Sequence, residues 1–168
     1  MQEKLQRRYQ IQKEVSRGGY FQGKIEVSDL TRLSDFLLSD QAKIAIEFNF
    51  SQSDYNAPLV EGRLQTSLAV ECQRCLKAME MPLQMDFKLL VNAPDDVVIE
   101  SSLDTIYCED GTLDIFEVVE DELILGLPLV TMHDDEACNE FWPTQEEDPE
   151  AAAKENPFSV LAKLKTIN

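Results

Sequence analysis

Residues 59–91 read LVEGRLQTSLAVECQRCLKAMEMPLQMDFKLLV, and this stretch decides the fold. In residues 59–71 apolar side chains alternate with polar ones, and the same period of two returns in residues 79–91. Such alternation is typical of strands with one buried and one solvated face. Residues 42–50 alternate in the same way. The pattern therefore predicts three strands joined by short connections, as in an antiparallel meander.

Two helices are predicted beside these strands. Residues 29–38 form a short helix, capped by Ser28 or Asp29, because a short side-chain oxygen accepts hydrogen bonds from the free N–H groups of a first turn. Residues 114–126 form the main helix. Asp114 begins it in the form of a capping box, and a glycine followed by a proline ends it. Weaker strand signals lie near residues 97–100 and 105–109.

These elements predict an α+β fold. Its antiparallel sheet could curl toward a barrel, and it packs with one main helix and short flanking helices. Residues 1–138 form the single domain. Residues 139–155 are acidic, carry two prolines and few aliphatic side chains, and predict a flexible linker. Residues 156–168 predict a C-terminal amphipathic helix, with Asn156 as its cap and Pro157 at its first position.

The net charge of −17 is concentrated in one part of the chain. Residues 1–91 carry 12 acidic and 12 basic side chains, whereas residues 92–155 carry 20 acidic side chains and one basic side chain. A strongly negative surface opposes nucleic-acid binding through general electrostatics, but here the objection applies only to the second half.

Arg7 and Arg8 belong to a modest basic arm at the N-terminus. That arm is either a frayed, solvated terminus or a local contact for a phosphate backbone.

Composition excludes several classes of protein. Hydrophobic residues make up 43% of the 168 residues and charged residues 28%, which excludes wholesale disorder. No apolar run reaches the length of a membrane span, and the first residues have no apolar core of a secretory signal. We therefore expect a cytoplasmic protein, in which the four cysteines do not form a disulfide framework.

The sharpest local motif is the pair Cys72 and Cys75, which the strand pattern places at a hairpin tip. His133 and Cys138 supply a second pair, so the sequence contains enough ligands for a zinc site of three cysteines and one histidine, and Cys108 is not needed for it. A redox C-x-x-C pair would normally open a helix in a βαβ unit, which this pair does not do. A third interpretation is that the thiols are small apolar groups of the core.

A cluster of carboxylates forms the other candidate site: Glu117, Glu120, Asp121 and Glu122, all on the main helix. They form a solvated face, a docking face for a basic partner, or a site for metal or general acid–base chemistry. No phosphate-binding loop, dinucleotide fingerprint or nucleophile elbow is present, and the chain has one histidine. A catalytic triad would therefore have only one possible base, and the sequence alone assigns no catalytic residues and no small-molecule substrate.

Three segments resemble motifs of the bacterial YceD family, in the same order. They are Val70 to Cys75, Glu117 to Pro128 with the following His133 and Cys138, and Asn156 to Leu164. Together they span roughly residues 60–168, and the N-terminal third matches only loosely. The family is described as the large ribosomal RNA subunit accumulation protein, and its gene commonly neighbours one for a large-subunit ribosomal protein.

The resemblance implies a non-enzymatic ribosome-biogenesis factor that supports synthesis, processing or stability of 23S rRNA. The expected partner of the acidic residues is a ribosomal protein or an RNA-processing enzyme. Arg7, Arg8 and Arg74 are candidate contacts to the 23S rRNA precursor, and no membrane partner is expected. No cofactor is required by this function. Zinc is inferred from the ligand types at Cys72, Cys75, His133 and Cys138 rather than from the family.

Two alternatives remain open from the sequence. The protein could be an acidic chaperone for a basic ribosomal protein, which needs no RNA contact. It could also be a metal-dependent RNA-processing nuclease that uses the acidic helix, although the carboxylates look clustered on the surface and the histidine lies near cysteine.

Overall fold

The computed structural model describes residues 5–93 and 103–139. Its strands are β1 Arg8–Gln10, β2 Tyr20–Glu26, β3 Lys43–Gln52, β4 Pro58–Glu71, β5 Ala78–Val91, β6 Asp104–Ile106 and β7 Thr112–Asp114. Its α-helices are α1 Ile11–Arg17, α2 Thr31–Ser34 and α3 Ile115–Gly126, with 3-10 helices at Val27–Asp29 and Glu136–Cys138. The chain divides into two compact units, Met1–Asp134 and Asp135–Asn168.

The larger sheet has the strand order β2-β3-β4-β5-β6, and its first four strands form the predicted antiparallel meander. The fifth strand, β6, pairs in parallel with the end of β5 at Leu89 to Val91. Strands β2 and β6 are opposite edges that do not pair with each other in the described residues, so this sheet is open there. The α+β class is confirmed, and the barrel-like form that the sequence left open is not found in this part of the chain.

Alternation along the three predicted strands places their apolar side chains in one core. The four even positions from Ile44 to Phe50 in β3 are all at most 2% exposed. On β4 the buried members include Val60, Leu64, Leu68 and Val70. Aromatic rings of Tyr9, Phe21, Phe48 and Phe50 contact one another with centroids between 4.4 and 6.1 Å apart. These aromatic contacts stabilise the fold beyond the contribution of the apolar surface area that they bury.

The N-terminal segment is an ordered part of the fold, so the interpretation of a frayed terminus is wrong for residues 8–17. Strand β1 pairs antiparallel with β7, and α1 follows it directly. Tyr9 and Ile11 are 3% and 2% exposed within the core. The sequence did not reveal this burial, because basic residues flank the two positions. A three-residue strand also shows too little alternation to be recognised.

The predicted helix over residues 29–38 is much shorter in the structure. A 3-10 turn at Val27–Asp29 precedes α2, which has four residues. Neither Ser28 nor Asp29 caps it; Leu30 holds the cap position and makes no side-chain cap hydrogen bond. The segment nevertheless packs on the core, since Leu30 and Leu33 are buried.

The predicted main helix agrees closely with α3, the longest of the three α-helices described. Asp114 caps it, and its side chain accepts hydrogen bonds from the N–H groups of Phe116 and Glu117. Ile115, Val118, Val119 and Leu123 face the core. Leu125, near the end of the helix, is 80% exposed. Neither α3 nor any other helix in the described residues is long and apolar enough to cross a membrane.

Several predictions fall outside the described residues. The strand signal at residues 97–100, the linker at 139–155 beyond its first residue and the C-terminal helix at 156–168 lie there and remain predictions. The strand signal at residues 105–109 corresponds to the short β6.

Candidate metal centre

The β4–β5 hairpin carries the cysteine pair at its tip. The N–H of Cys72 donates to the carbonyl of Lys77 at 2.9 Å, and the N–H of Leu76 donates to the carbonyl of Cys72 at 2.7 Å. Leu76 has φ of 59°, a left-handed conformation that closes the turn. The chain therefore turns back within six residues, and the side chains of Cys72 and Cys75 converge.

A second segment, residues 129–133, is fastened to this hairpin; we call it the strap. The N–H of Gln73 donates to the carbonyl of Thr131 at 2.8 Å, and the hydroxyl of Thr131 donates to the carbonyl of Glu71 at 2.6 Å. The side-chain amide of Gln73 donates to the carbonyl of Leu129 at 3.3 Å. These bonds fix the strap beside the hairpin tip and bring His133 to the cysteine pair.

Three potential ligands thus meet within the first unit. The ligand atoms of Cys72, Cys75 and His133 all lie within 4.8 Å of one another, and the Cys75 Sγ lies 3.4 Å from the His133 Nδ1. Cys72 is buried, whereas Cys75 and His133 are half-buried. Thiolate and imidazole are the donors that zinc prefers, so the residue types and spacing suit that metal.

Hydrogen bonds favour the thiolate form of Cys72. Burial acts to raise the pKa of this thiol, but the backbone groups of His133, Cys75 and Arg74 outweigh it and lower the pKa to about 5. The thiolate, not the thiol, is the metal ligand. This environment is therefore one that a metal-binding sulfur needs.

The remaining two cysteines belong to different units, Cys138 to Asp135–Asn168 and Cys108 to Met1–Asp134. Cys138 ends the 3-10 helix Glu136–Cys138 of the second unit, in which the Asp135 side chain accepts a hydrogen bond from the N–H of Ala137. Cys108 packs against the core, and Asn92 bonds both its N–H and its carbonyl. Burial, followed by Asp110 and Glu117, raises the pKa of the Cys108 thiol. Cys108 therefore has the character of a structural thiol, as the sequence left open.

The acidic cluster on α3 does not act as one surface. Glu120 is only 6% exposed, and its carboxylate accepts hydrogen bonds from the N–H groups of Arg32 and Leu33 and from the Arg32 side chain. The interpretation of Glu120 as part of a solvated or docking face is therefore wrong. Sequence offered no signal for this role, because Arg32 lies 88 residues before Glu120.

The remaining three carboxylates of the cluster are accessible. Glu117 and Asp121 are exposed, and Asp121 pairs with Arg32 at 2.7 Å. Glu122 is half-buried; burial raises its pKa, and the charges of Asp104 and Asp121 raise it further. Within the described residues, no group of acidic side chains meets the geometry of a metal site.

The candidate RNA contacts are partly occupied by other interactions. The Nε atoms of Arg7 and Arg8 lie 2.9 and 3.6 Å from the carboxylate of Asp114, and both side chains stay more than half exposed. Arg74 lies at the hairpin tip, 3.5 Å from the sulfur of Met132 on the strap. The structure thus separates Arg74, beside the cysteine pair, from the N-terminal arginines, beside the start of α3.

The structure defines a small α+β protein whose central hairpin gathers cysteine and histidine ligands. A family model described as the large ribosomal RNA subunit accumulation protein YceD matches residues 60–165. A curated relative of that name from Haemophilus influenzae is 32% identical over 163 residues, which cover 91% of each chain. No solved structure matches the chain.

The chain therefore belongs to the YceD family, as the three sequence motifs indicated. The matched range runs from β4 to the C-terminal motif and includes the hairpin, α3 and the strap. The family and the relative are named for the accumulation of a ribosomal RNA subunit and not as enzymes.

Proposed function

We propose that this protein is a non-enzymatic adaptor that supports synthesis, processing or stability of 23S rRNA in the cytoplasm. It binds a basic protein, either a ribosomal protein or an RNA-processing enzyme, through the exposed carboxylates of α3. Family membership supports the ribosomal part of this proposal. The position of the partner surface is supported by one observation, the raised pKa of Glu122.

Glu122 lies in an environment that disfavours its own charge. Burial raises its pKa, and the neighbouring charges of Asp104 and Asp121 add to the effect. Like charges held close together cost free energy unless a cation offsets them. A lysine or arginine of a partner would offset this repulsion, so the surface favours a basic protein.

The docking surface consists of Glu117, Asp121 and Glu122. Glu120 is excluded from it because its carboxylate is already bound inside the protein. Because the Glu120 carboxylate already accepts hydrogen bonds inside the protein, it is not free to bind a divalent cation. This weakens the nuclease alternative, which needs accessible carboxylates. A Mg²⁺-dependent cleavage assay on precursor 23S rRNA tests that alternative directly.

Arg7, Arg8 and Arg74 remain the proposed contacts to the rRNA precursor. Asp114 offsets part of the charge of Arg7 and Arg8, which favours the second candidate function, an acidic chaperone for a basic ribosomal protein. RNA affinity at moderate salt separates the two functions, since phosphate contacts weaken steeply as salt rises. Salt-sensitive binding to a ribosomal protein without RNA affinity would favour the chaperone.

We also propose that Cys72, Cys75, His133 and Cys138 bind one structural zinc ion. Zinc in structural sites takes four protein ligands in a tetrahedron, and three ligands of the preferred types already meet in the first unit. Cys138 follows His133 by five residues, a length of chain that can span at most about 17 Å. Four protein ligands leave no open position for water, so this zinc would hold the strap to the hairpin and would not catalyse a reaction.

The decisive experiment is affinity capture of the full chain from cells, with and without RNase, followed by identification of proteins and RNA. We expect precursors of the large subunit to co-purify. Glu117→Lys and Glu122→Lys should each lose the protein partner, whereas Asp54→Lys makes the same charge change at an exposed turn residue and should retain it. Normal 23S rRNA in a deletion strain together with no ribosomal association would refute the function.

A further inference from the structure

The structure contains an apolar groove beside the end of α3 and the strap. It has a volume of about 450 Å³. Its apolar lining consists of Phe36, Val70, Ile124, Leu127, Pro128 and Leu129. We infer that this groove binds one amphipathic helix of the protein partner, with an apolar face toward the groove and basic residues along its flanks.

The rim of the groove is unusually apolar for a solvated surface. Phe36 is 60% exposed and Leu129 is 97% exposed, and the adjacent strap residues Val130 and Met132, which do not line the groove, are 52% and 43% exposed. Scattered exposed apolar residues are ordinary, whereas a contiguous group around a concave site marks an interaction surface. Most of the Phe36 and Leu129 surface stays in water, so folding alone gains little from these side chains.

The groove is held open before any partner arrives. The strap forms one wall, and the backbone and hydroxyl of Thr131 fasten it to Gln73 and Glu71. Another part of the lining is the end of α3, where Leu127 donates its N–H to the carbonyl of Leu123 and closes the last turn. A preformed groove reduces the ordering cost of binding, and an apolar groove accepts the apolar face of an amphipathic helix.

Charge around the groove selects the chemistry of that helix. Glu71 lines the groove, and no lysine or arginine does so in the described residues. On α3, Asp121 lies three residues before the groove residue Ile124, so both occupy one side of the helix. Arg32 pairs with Asp121 at 2.7 Å, so the charge argument rests on Glu71, the acidic group that has no ion pair within the described residues. A helix with basic flanks therefore fits, and one with acidic flanks is repelled.

This inference rests on the proposed function for the identity of the partner, but its binding test does not. The probe is a fluorescent 14-residue peptide of leucine and lysine, with leucine at positions i, i+3, i+4 and i+7, measured by fluorescence anisotropy on the full chain. A peptide of equal composition in scrambled order removes the apolar face. A leucine–glutamate peptide keeps the apolar face and reverses the charge.

We expect the leucine–lysine peptide to bind, and the two control peptides to bind at least about tenfold more weakly. Phe36→Ser and Leu129→Ser should each weaken binding by about tenfold or more, as loss of an apolar anchor does. Tyr107→Ser is the matched control, because Tyr107 is 76% exposed and does not line the groove. Substitution at such exposed positions should leave the fold intact, and circular dichroism checks this.

Several outcomes would overturn the inference. Equal binding of the scrambled or acidic peptide, or unchanged binding by both groove variants, would leave no role for the groove. Dimerisation that Leu129→Ser abolishes would assign the groove to a second copy. Tighter binding of a synthetic peptide of residues 156–168 would assign it to this chain's own sequence. If peptide binding maps to the groove while ribosomal precursors fail to co-purify, the groove stands and the ribosomal adaptor function falls.

Discussion

Glu120 on α3 and Arg32 at the start of α2 form a two-sided contact inside the fold. The carboxylate of Glu120 accepts from the backbone N–H of Arg32 at 2.6 Å and from its Nε at 2.9 Å. The N–H of Leu33 donates to the same carboxylate at 3.1 Å. Glu120 therefore satisfies the first N–H groups of α2, which no neighbouring side chain caps, and ties the two helices together.

The substitution Glu120→Gln should destabilise the protein by about 1–3 kcal/mol, because a buried acceptor that receives three hydrogen bonds becomes an uncharged amide with one oxygen. Urea unfolding followed by circular dichroism measures the change. Glu117→Gln is the matched control on the same helix, and as an exposed substitution it should change stability by less than about 0.5 kcal/mol. Equal effects of the two substitutions would contradict the capping role of Glu120.

The sequence does not distinguish the buried Glu120 from the exposed Glu117. Both lie on an amphipathic helix that the sequence placed correctly, and periodicity predicted the three long strands because burial repeats every second residue along each of them. The role of Glu120 depends on a tertiary contact to Arg32, which no local pattern encodes. The strands were therefore predictable, whereas the division of the acidic cluster was not.

In the candidate metal centre, too, the local pattern was predictable from the sequence and the tertiary contact was not. The spacing of Cys72 and Cys75 at a predicted turn indicated that both sulfurs meet. The approach of His133 depends on Gln73 and Thr131, whose single hydrogen bond is tertiary and carries no ligand signature. Ligand types could be read from the sequence, but the strap that positions them could not.

Stability at neutral pH should increase in Glu122→Gln. Burial, reinforced by Asp104 and Asp121, raises the pKa of Glu122 in the folded protein above its ordinary value, so the folded state binds this proton more tightly than the unfolded state. The charged form therefore destabilises the fold above the folded pKa, and this penalty disappears as the pH falls below about 4.3, the ordinary pKa of glutamate. Urea unfolding of wild type and variant across pH 3–7 measures it.

Glu120 gives the opposite sign in the same titration. Burial acts to raise its pKa, but hydrogen bonds from Leu33 and Arg32 outweigh this effect and the pKa falls below its ordinary value. Its contribution is present above the unfolded pKa and is lost as the pH falls through the folded pKa. If Glu122→Gln lost its advantage at high pH instead of low pH, the proposed crowding of carboxylates on α3 would be contradicted.

Replacing Leu76 by glycine should stabilise the hairpin by about 1 kcal/mol. Leu76 is 69% exposed and has φ of 59°, a conformation that costs an L side chain roughly 1–2 kcal/mol and costs glycine little. Leu76→Ala is the matched control, because it removes the same exposed apolar surface but keeps the conformational penalty. Equal stability of the two variants in thermal unfolding would show that the turn carries no strain.

Purified protein should contain about one zinc ion per chain, and Cys72→Ser should lose it. Cys72 is the buried ligand of the cluster, so its loss removes a sulfur that water cannot readily replace. Elemental analysis measures the metal, and a chelator should lower the Tm of the wild type because metal binding to the folded state stabilises it. Cys108→Ser is the matched control: it changes a thiol that lies outside the cluster, and it should retain both the metal and the effect of the chelator.

Cys138→Ser then tests the fourth ligand separately from the first three. If Cys138 binds the metal, cobalt(II) in the wild type should show the absorption of a tetrahedral site with three thiolates, and the variant should show fewer sulfur ligands with weaker binding. An unchanged cobalt spectrum in Cys138→Ser would assign the fourth position to another donor and leave Cys72, Cys75 and His133 as the site. Absence of metal from protein purified without chelators would remove the site altogether, and the strap would then rest on its hydrogen bonds to Gln73 and Glu71 alone.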